Sequence, residues 1–178
     1  GQPPRDTLLS GDPPHHARFR RLVNPTLSPR KMEPYEPIIR NVCNDLIDAF
    51  IEDGECELVA QYSMMVPLTV VSLALGVPDT DLAKYKDWCI RSVAILAGKI
   101  SFEEVLDGTQ AGADLQNYIA DRVEAARLNP EDNVIGDLVN AHILADEEDS
   151  SGEAEEYRPL DTPEIVSIVQ QLLVAGQE

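Results

Sequence analysis

The chain has 178 residues, 43% hydrophobic, 26% charged and only 5% aromatic, a balance suited to a soluble helical protein with one substantial core. Its net charge of −18 excludes general binding to nucleic acid or anionic membranes, and no apolar run is long enough to span a bilayer. The opening GQPPRDTLLS has neither the charged start nor the apolar stretch of a secretory signal, and no initiator Met. A cytoplasmic origin is therefore expected, with an N-terminus that is truncated or processed.

The charge is unevenly placed. Residues 1–31 hold six basic side chains (Arg5, Arg18, Arg20, Arg21, Arg30, Lys31) against Asp6 and Asp12, a net of +4 that leaves −22 on the rest. The three cysteines, Cys43, Cys56 and Cys89, are widely spaced and form no C-x-x-C pair, which fits reduced thiols buried as small hydrophobes.

In chain order, the sequence predicts helices separated by short breakers, with no convincing alternating strand. GDPPHHARFRRLV opens the first helix, with Asp12 as cap and Pro13 at the first helical position, where a missing N–H costs nothing. NPTLSPRKM breaks it at Pro25 and Pro29. EPIIRNVCNDLIDAFIEDG places Ile38, Ile39, Val42, Leu46, Ile47, Phe50 and Ile51 at helical spacing and stops at Gly54.

ELVAQYSMMVPLTVVSLALGVPD is apolar almost all round, so a buried helix is expected. Pro67 kinks it or sits near its start, and Gly76 with Pro78 ends it. TDLAKYKDWCIRSVAILAG starts on a Thr80 or Asp81 cap and runs to Gly98. ADLQNYIADRVEAARLNP is amphipathic, with Leu115, Ile119 and Val123 on one stripe, and DNVIGDLVNAHIL forms a shorter helix. ADEEDSSGEAEEYRP reads as a solvated acidic loop. The last helix, LDTPEIVSIVQQLLVAGQE, opens with capping-box spacing from Asp161 to Glu164, or with Thr162 before Pro163. The expected fold class is all-α, with helices too varied for a simple four-helix bundle.

Two constellations can carry chemistry. His16 and Arg20 lie four apart, one turn apart on one helix face, and both can donate hydrogen bonds to carboxylates or phosphates. The competing reading is an exposed basic helix lying near acidic parts of its own chain. In LLVAGQE, Ala175 and Gly176 let something approach the backbone closely, and Glu178 follows at once. A carboxylate just beyond a helix C-terminus has the wrong sign for the helix dipole, costing about 0.3–1 kcal/mol when exposed. A helix cut through its middle is therefore expected here, rather than one capped at Gly176.

These residues carry a family resemblance. DPPHHARFRRLVNPTLSPRKM resembles the helix C signature of bacterial cytochrome P-450 haem-thiolate monooxygenases, usually written D-P-P-E-H-x-x-x-R. LLVAGQE is similar to the middle of that family's long helix I, where A-G-x-E/D-T-T is typical. Between them, ELVAQYSMMVPLTVVSLALGVPD is similar to helix E and its following turn, and YKDWC to the start of helix F. The resemblance covers essentially the whole chain, from the loop before helix C to mid-helix I, and implies a single partial domain over 1–178 with helices around a haem site.

The resemblance implies roles residue by residue. His16 and Arg20 match positions that bind the haem propionates. Arg18, Arg21, Arg30 and Lys31 fall on the face that receives an acidic electron donor of ferredoxin or flavin type. Ala175 and Gly176 match the point where helix I crosses the haem and leaves room for dioxygen, and Val174 a position that often touches substrate. Glu178 matches the acid of an acid–alcohol pair that relays protons to the reacting oxygen. The implied reaction is insertion of one oxygen atom from dioxygen into a hydrophobic small molecule; Ile95 and Leu96 in the helix F region fit such a substrate.

There are departures from the family pattern. His15 stands where the family usually has Glu. The partner alcohol, the E-x-x-R motif and the Cys-containing haem loop are absent from these 178 residues, and Cys43, Cys56 and Cys89 lack that loop's Gly-rich context. No metal ligand is therefore assigned within the chain, which by itself is expected to be inactive. The alternatives are a non-enzymatic all-α ligand-binding module, which has no need of a propionate clamp, and a remnant with a scaffold role.

Overall fold

The computed structural model describes residues 7–9, 11–95, 98, 101–144 and 157–176. Eight α-helices appear among them: α1 (His15–Thr26), α2 (Pro29–Met32), α3 (Tyr35–Asp48), α4 (Met65–Ala74), α5 (Asp79–Ala94), α6 (Phe102–Leu128), α7 (Val134–Val139) and α8 (Thr162–Ala175). The chain divides into two compact units, Gly1–Leu27 with Ala113–Gln171, and Ser28–Gly112 with Leu172–Glu178.

The first unit is built on apolar stripes. Phe19, Val23 and Thr26 of α1 are buried at helical spacing, and α1 packs against α7 and the strand β1 (His142–Leu144). The predicted stripe of α6 is buried as well: Leu115, Ile119 and Val123 are at most 4% exposed. From α8 come Ile165, Ile168 and Val169, all fully buried.

The start of α8 is the reciprocal cap that the spacing predicts. The Glu164 N–H donates to Asp161 Oδ1 at 2.7 Å, and the Asp161 N–H donates to Glu164 Oε2 at 2.7 Å. Arg158 then grips the same carboxylate through two bonds of 2.8 and 2.7 Å. Glu164 is only 4% exposed, so its charge is buried with all of these partners in place.

Arg158 lies on a short strand: the all-α fold holds, with one small antiparallel pair that the sequence reading did not foresee. β1 pairs antiparallel with β2 (Tyr157–Pro159), Ile143 opposite Arg158, so the predicted helix through Leu144 ends at Val139. Strands of three residues are too short to display alternation, and the acidic stretch separates the two in sequence. Of that stretch, residues 145–156 lie outside the described residues.

Five further helix boundaries differ from expectation. Pro14, not Asp12, stands at the N-cap of α1, because a residue before proline is pushed out of the helical region and Pro13 cannot lead the helix. Pro25 does not break α1; it sits in the exposed last turn, where the one backbone hydrogen bond it forgoes costs least. Neither Thr80 nor Asp81 caps α5: Pro78 is its N-cap, and the helix ends at Ala94, ahead of Gly98. The largest difference is α6, which begins at Phe102 rather than near Ala113. Its signal was a second capping box, with Ser101 N–H donating to Glu104 Oε2 at 2.6 Å and Glu104 N–H to Ser101 Oγ at 3.2 Å.

In the second unit the predicted apolar segment is divided. A π-helical turn spans Val59–Ser63, with the Met64 N–H reaching Val59 O at 2.9 Å, and α4 follows. Pro67 thereby occupies the first turn of α4, where no N–H is needed. Only the later part is buried as expected; Leu58 and Val59 are each 57% exposed.

The end of α4 is a Schellman motif. The Val77 N–H bonds to Ser72 O at 3.0 Å and the Gly76 N–H to Leu73 O at 2.9 Å, with Gly76 at φ 72°. The stripe of α3 forms no closed core: none of its residues is fully buried, and Ile38 is 40% exposed.

Of the cysteines only Cys89 is buried, its thiol pushed up to about 12 by loss of solvation; Cys43 is half-buried and Cys56 is exposed. A surface clasp joins α5 to α6. Arg91 bonds Asp107 through Nε at 2.7 Å and again through its terminal nitrogen, and bonds Asp87 at 2.9 Å. Beside it Gly108 lets the helices touch, since a Cβ there would lie 2.7 Å from Arg91 O.

The hydrogen bonds from Arg91 hold the Asp107 carboxyl below the usual carboxylate range. A folded-state pKa below the unfolded one gives stability that is present above the unfolded value and lost as pH falls through the folded one. Urea unfolding of Arg91→Met should therefore show its largest deficit near neutral pH, vanishing in acid once Asp107 is protonated in both forms. Glu164→Ala, which strands Arg158 and opens the cap, is expected to cost about 3 kcal/mol in the same assay.

Candidate functional site

The local chemistry of α1 starts from its prolines. Asp12 contributes its carbonyl, which accepts from the His16 N–H at 2.9 Å, and the helix then runs His15-His16-Ala17-Arg18-Phe19-Arg20. His15 packs its ring edgewise on buried Phe19, centroids 4.9 Å apart. His15 therefore helps cover the core.

The next residue begins the candidate clamp. His16 is half-buried, and Arg20, one turn later, is exposed. Among the described residues no carboxylate pairs with Arg20 and no side-chain group bonds the His16 imidazole. In a chain of net charge −18, two neighbouring cationic or donor groups without a protein anion suit an external anionic group.

The remaining basic residues are distributed over both units. Arg18 is half-buried and has a partner of its own, while exposed Arg21 turns its Nε toward Ala17 O at 3.4 Å. Arg30 and Lys31 are exposed in the last turn of α2, in the other unit. The structure thus puts His16, Arg18, Arg20 and Arg21 on one helix and Arg30 and Lys31 on another.

The second constellation is at the end of α8. Gly176 is not a left-handed cap: its N–H still bonds to Leu172 O at 2.9 Å, and the positive-φ glycines are Gly54, Gly76 and Gly98. Its missing side chain is used at once, because a Cβ there would meet Val71 Cγ2 of α4 at 2.8 Å. The close approach expected from the Ala-Gly pair is therefore occupied on one side by Val71. Ala175 is exposed and Leu173 buried. Val174 lies on α8, and Glu178 lies outside the described residues.

Cys89 is buried, and loss of solvation pushes its thiol up to about 12, which disfavours the thiolate at neutral pH. Cys43 is hydrogen-bonded to the Tyr62 phenol, whose pKa this raises. Sequence reading missed a further polar group, Gln171, although a Ser167/Gln171 pair four apart on the helix was a visible signal. Its contacts are taken up below.

Gly176→Ala tests the packing at the end of α8. A helical Gly→Ala exchange ordinarily gains about 1 kcal/mol, whereas overpacking costs about 1–3 kcal/mol. With Val71 at 2.8 Å, a net loss of about 1 kcal/mol in chemical unfolding is expected.

No model of a known protein family matches the chain. It is nevertheless similar to curated proteins over nearly its whole length. Mycinamicin IV hydroxylase/epoxidase of Micromonospora griseorubida is 32% identical over 173 residues, covering 96% of this chain and 39% of that protein. Cytochrome P450 CYP107DY1 of Priestia megaterium is 29% identical over 171 residues, covering 96% and 38%. Among solved structures, substrate-free CYP109E1 from Bacillus megaterium superposes with a TM-score of 0.81 at 29% identity, over 97% of this chain and 42% of that one. The chain spans about two fifths of the length of the curated relatives it matches.

Proposed function

We propose that this chain, which is a stretch of the cytochrome P450 fold, works as part of a haem-thiolate monooxygenase that inserts one oxygen atom from dioxygen into a hydrophobic small molecule. The observation that carries this reading is the match along nearly the whole chain to P450s, a hydroxylase/epoxidase among them. Residues 1–178 then act as a single partial domain of a cytoplasmic bacterial enzyme. No helix among the described residues is long and apolar enough to cross a membrane.

Haem fits the residues of α1. His16 and Arg20, without a protein anion of their own, would hold its propionates, with Arg20 supplying a forked grip and His16 a single donor. When bound, the haem supplies the iron at which dioxygen is reduced. No cysteine of this chain is assigned as its axial ligand.

The chain's own residues bind, orient and shape. Ala175 and Gly176 keep the end of α8 free of bulk where dioxygen must fit, and Val174 contributes an apolar wall to substrate. Glu178 holds the proton that the reacting oxygen takes up. Arg18 and Arg21 on α1, and separately Arg30 and Lys31 on α2, each offer positive charge to an acidic ferredoxin-type or flavin-type electron donor, an attraction that acts on encounter rate and weakens with salt.

The test is Arg20→Ala in the full-length protein. Loss of a charged hydrogen-bonding partner should speed haem transfer to an apo-globin acceptor by about 10- to 100-fold. Unchanged haem retention and unchanged donor affinity would defeat the assigned role.

A further inference from the structure

The segment before α1 is fastened to α8 by one side chain. Gln171 Nε2 donates to Thr7 Oγ1 at 2.8 Å and to Ser167 Oγ at 3.0 Å, and its Oε1 accepts from the Leu9 N–H. Both donors and the acceptor of the amide are in use, and the Leu9 N–H fixes which way the amide points. Thr7 and Ser167 are 0% and 1% exposed, and their hydroxyls lie 3.3 Å apart. All four residues belong to the first unit.

The same segment bears on the start of α1. Gly11 packs so tightly over Thr7 that a Cβ on it would lie 2.4 Å from Thr7 O, and 3.6 Å from the His15 ring on its other side. His15 is seated on Phe19. A continuous series of contacts thus runs from Gln171 through Thr7 and Gly11 to the first turn of the helix that carries His16 and Arg20.

We propose that Gln171 is a positioning residue for the His16/Arg20 anion clamp, holding the start of α1 in place through Thr7 and Gly11. This rests on the haem-clamp reading given above. Gln171 shares its face of α8 with Ser167, and its three bonds tie Thr7 and Leu9 to that face; losing them takes one partner each from the buried Thr7 and Ser167 hydroxyls. Physical adjacency alone does not establish coupling, so the decisive measurement is a double-mutant cycle.

The cycle uses full-length protein, with Gln171→Met alone, Arg20→Ala alone and the two combined. Gln171→Met preserves length but removes every bond, whereas Gln171→Glu keeps the acceptor for Leu9 and lets both hydroxyls donate to it. Expected for Gln171→Met are at least roughly tenfold faster exchange of the Leu9 amide and about fivefold faster haem loss. In the Arg20→Ala background the same change should add little to haem loss, and Gln171→Glu should restore most of both readouts. If Gln171→Met does not fold, Thr7→Val removes the same buried hydroxyl bonds and enters the same cycle.

An equal effect of Gln171→Met in both backgrounds would show general stabilisation and overturn the proposal while leaving the clamp intact. So would faster Leu9 exchange with unaltered haem loss. Arg20→Ala with normal haem retention would instead remove the clamp reading itself.

Discussion

The buried carboxylate of Glu164 fixes where α8 starts, and with it the direction of every side chain that follows. Four hydrogen-bonding groups converge at this point: the Asp161 N–H, the Glu164 N–H through the Asp161 side chain, and two nitrogens of Arg158. A helix started one residue earlier or later would rotate by about 100°. Ile165, Ile168 and Val169 would leave the core, and Gln171 would lose Thr7 and Leu9. Because Arg158 belongs to β2, the small hairpin participates in setting that phase.

A similar logic applies to α1, whose polar and apolar residues are sorted by where the helix starts. Proline placement delays the helix until His15, and that start puts Phe19 and Val23 inward while Arg20 faces solvent. The family-divergent His15 is accommodated because an imidazole can lie edge-on to Phe19 and cover it. Polar function and apolar packing are thus carried on opposite faces of a single short helix.

Much of this was legible in the sequence where one residue type has one physical use. Gly76 ahead of Pro78, the Asp161–Glu164 spacing and the Leu115–Ile119–Val123 stripe each name a local geometry, and each is found. Reading failed where the signal was split between distant residues or diluted by exposed ones. The stretch from Phe102 to Gly112 carries exposed Phe102 and Leu106 and two glycines, so periodicity is weak there, although Ser101 and Glu104 did mark the start of α6. The β1–β2 pairing depends on segments on either side of the acidic stretch. The candidate residues His16 and Arg20 were legible as a motif, whereas the contacts around the start of α1, those of Thr7 and Gly11 above all, depend on tertiary folding that spacing does not encode.

Gly176 serves two neighbours at once. On one side its bare backbone is filled by Val71, on the other it adjoins exposed Ala175. Position 176 is therefore constrained by packing, because any added volume is felt first by α4. Among homologues, a larger residue at 176 should be accompanied by a smaller one at 71, the summed volume staying nearly constant. Such covariation would mark the pair as one unit of selection.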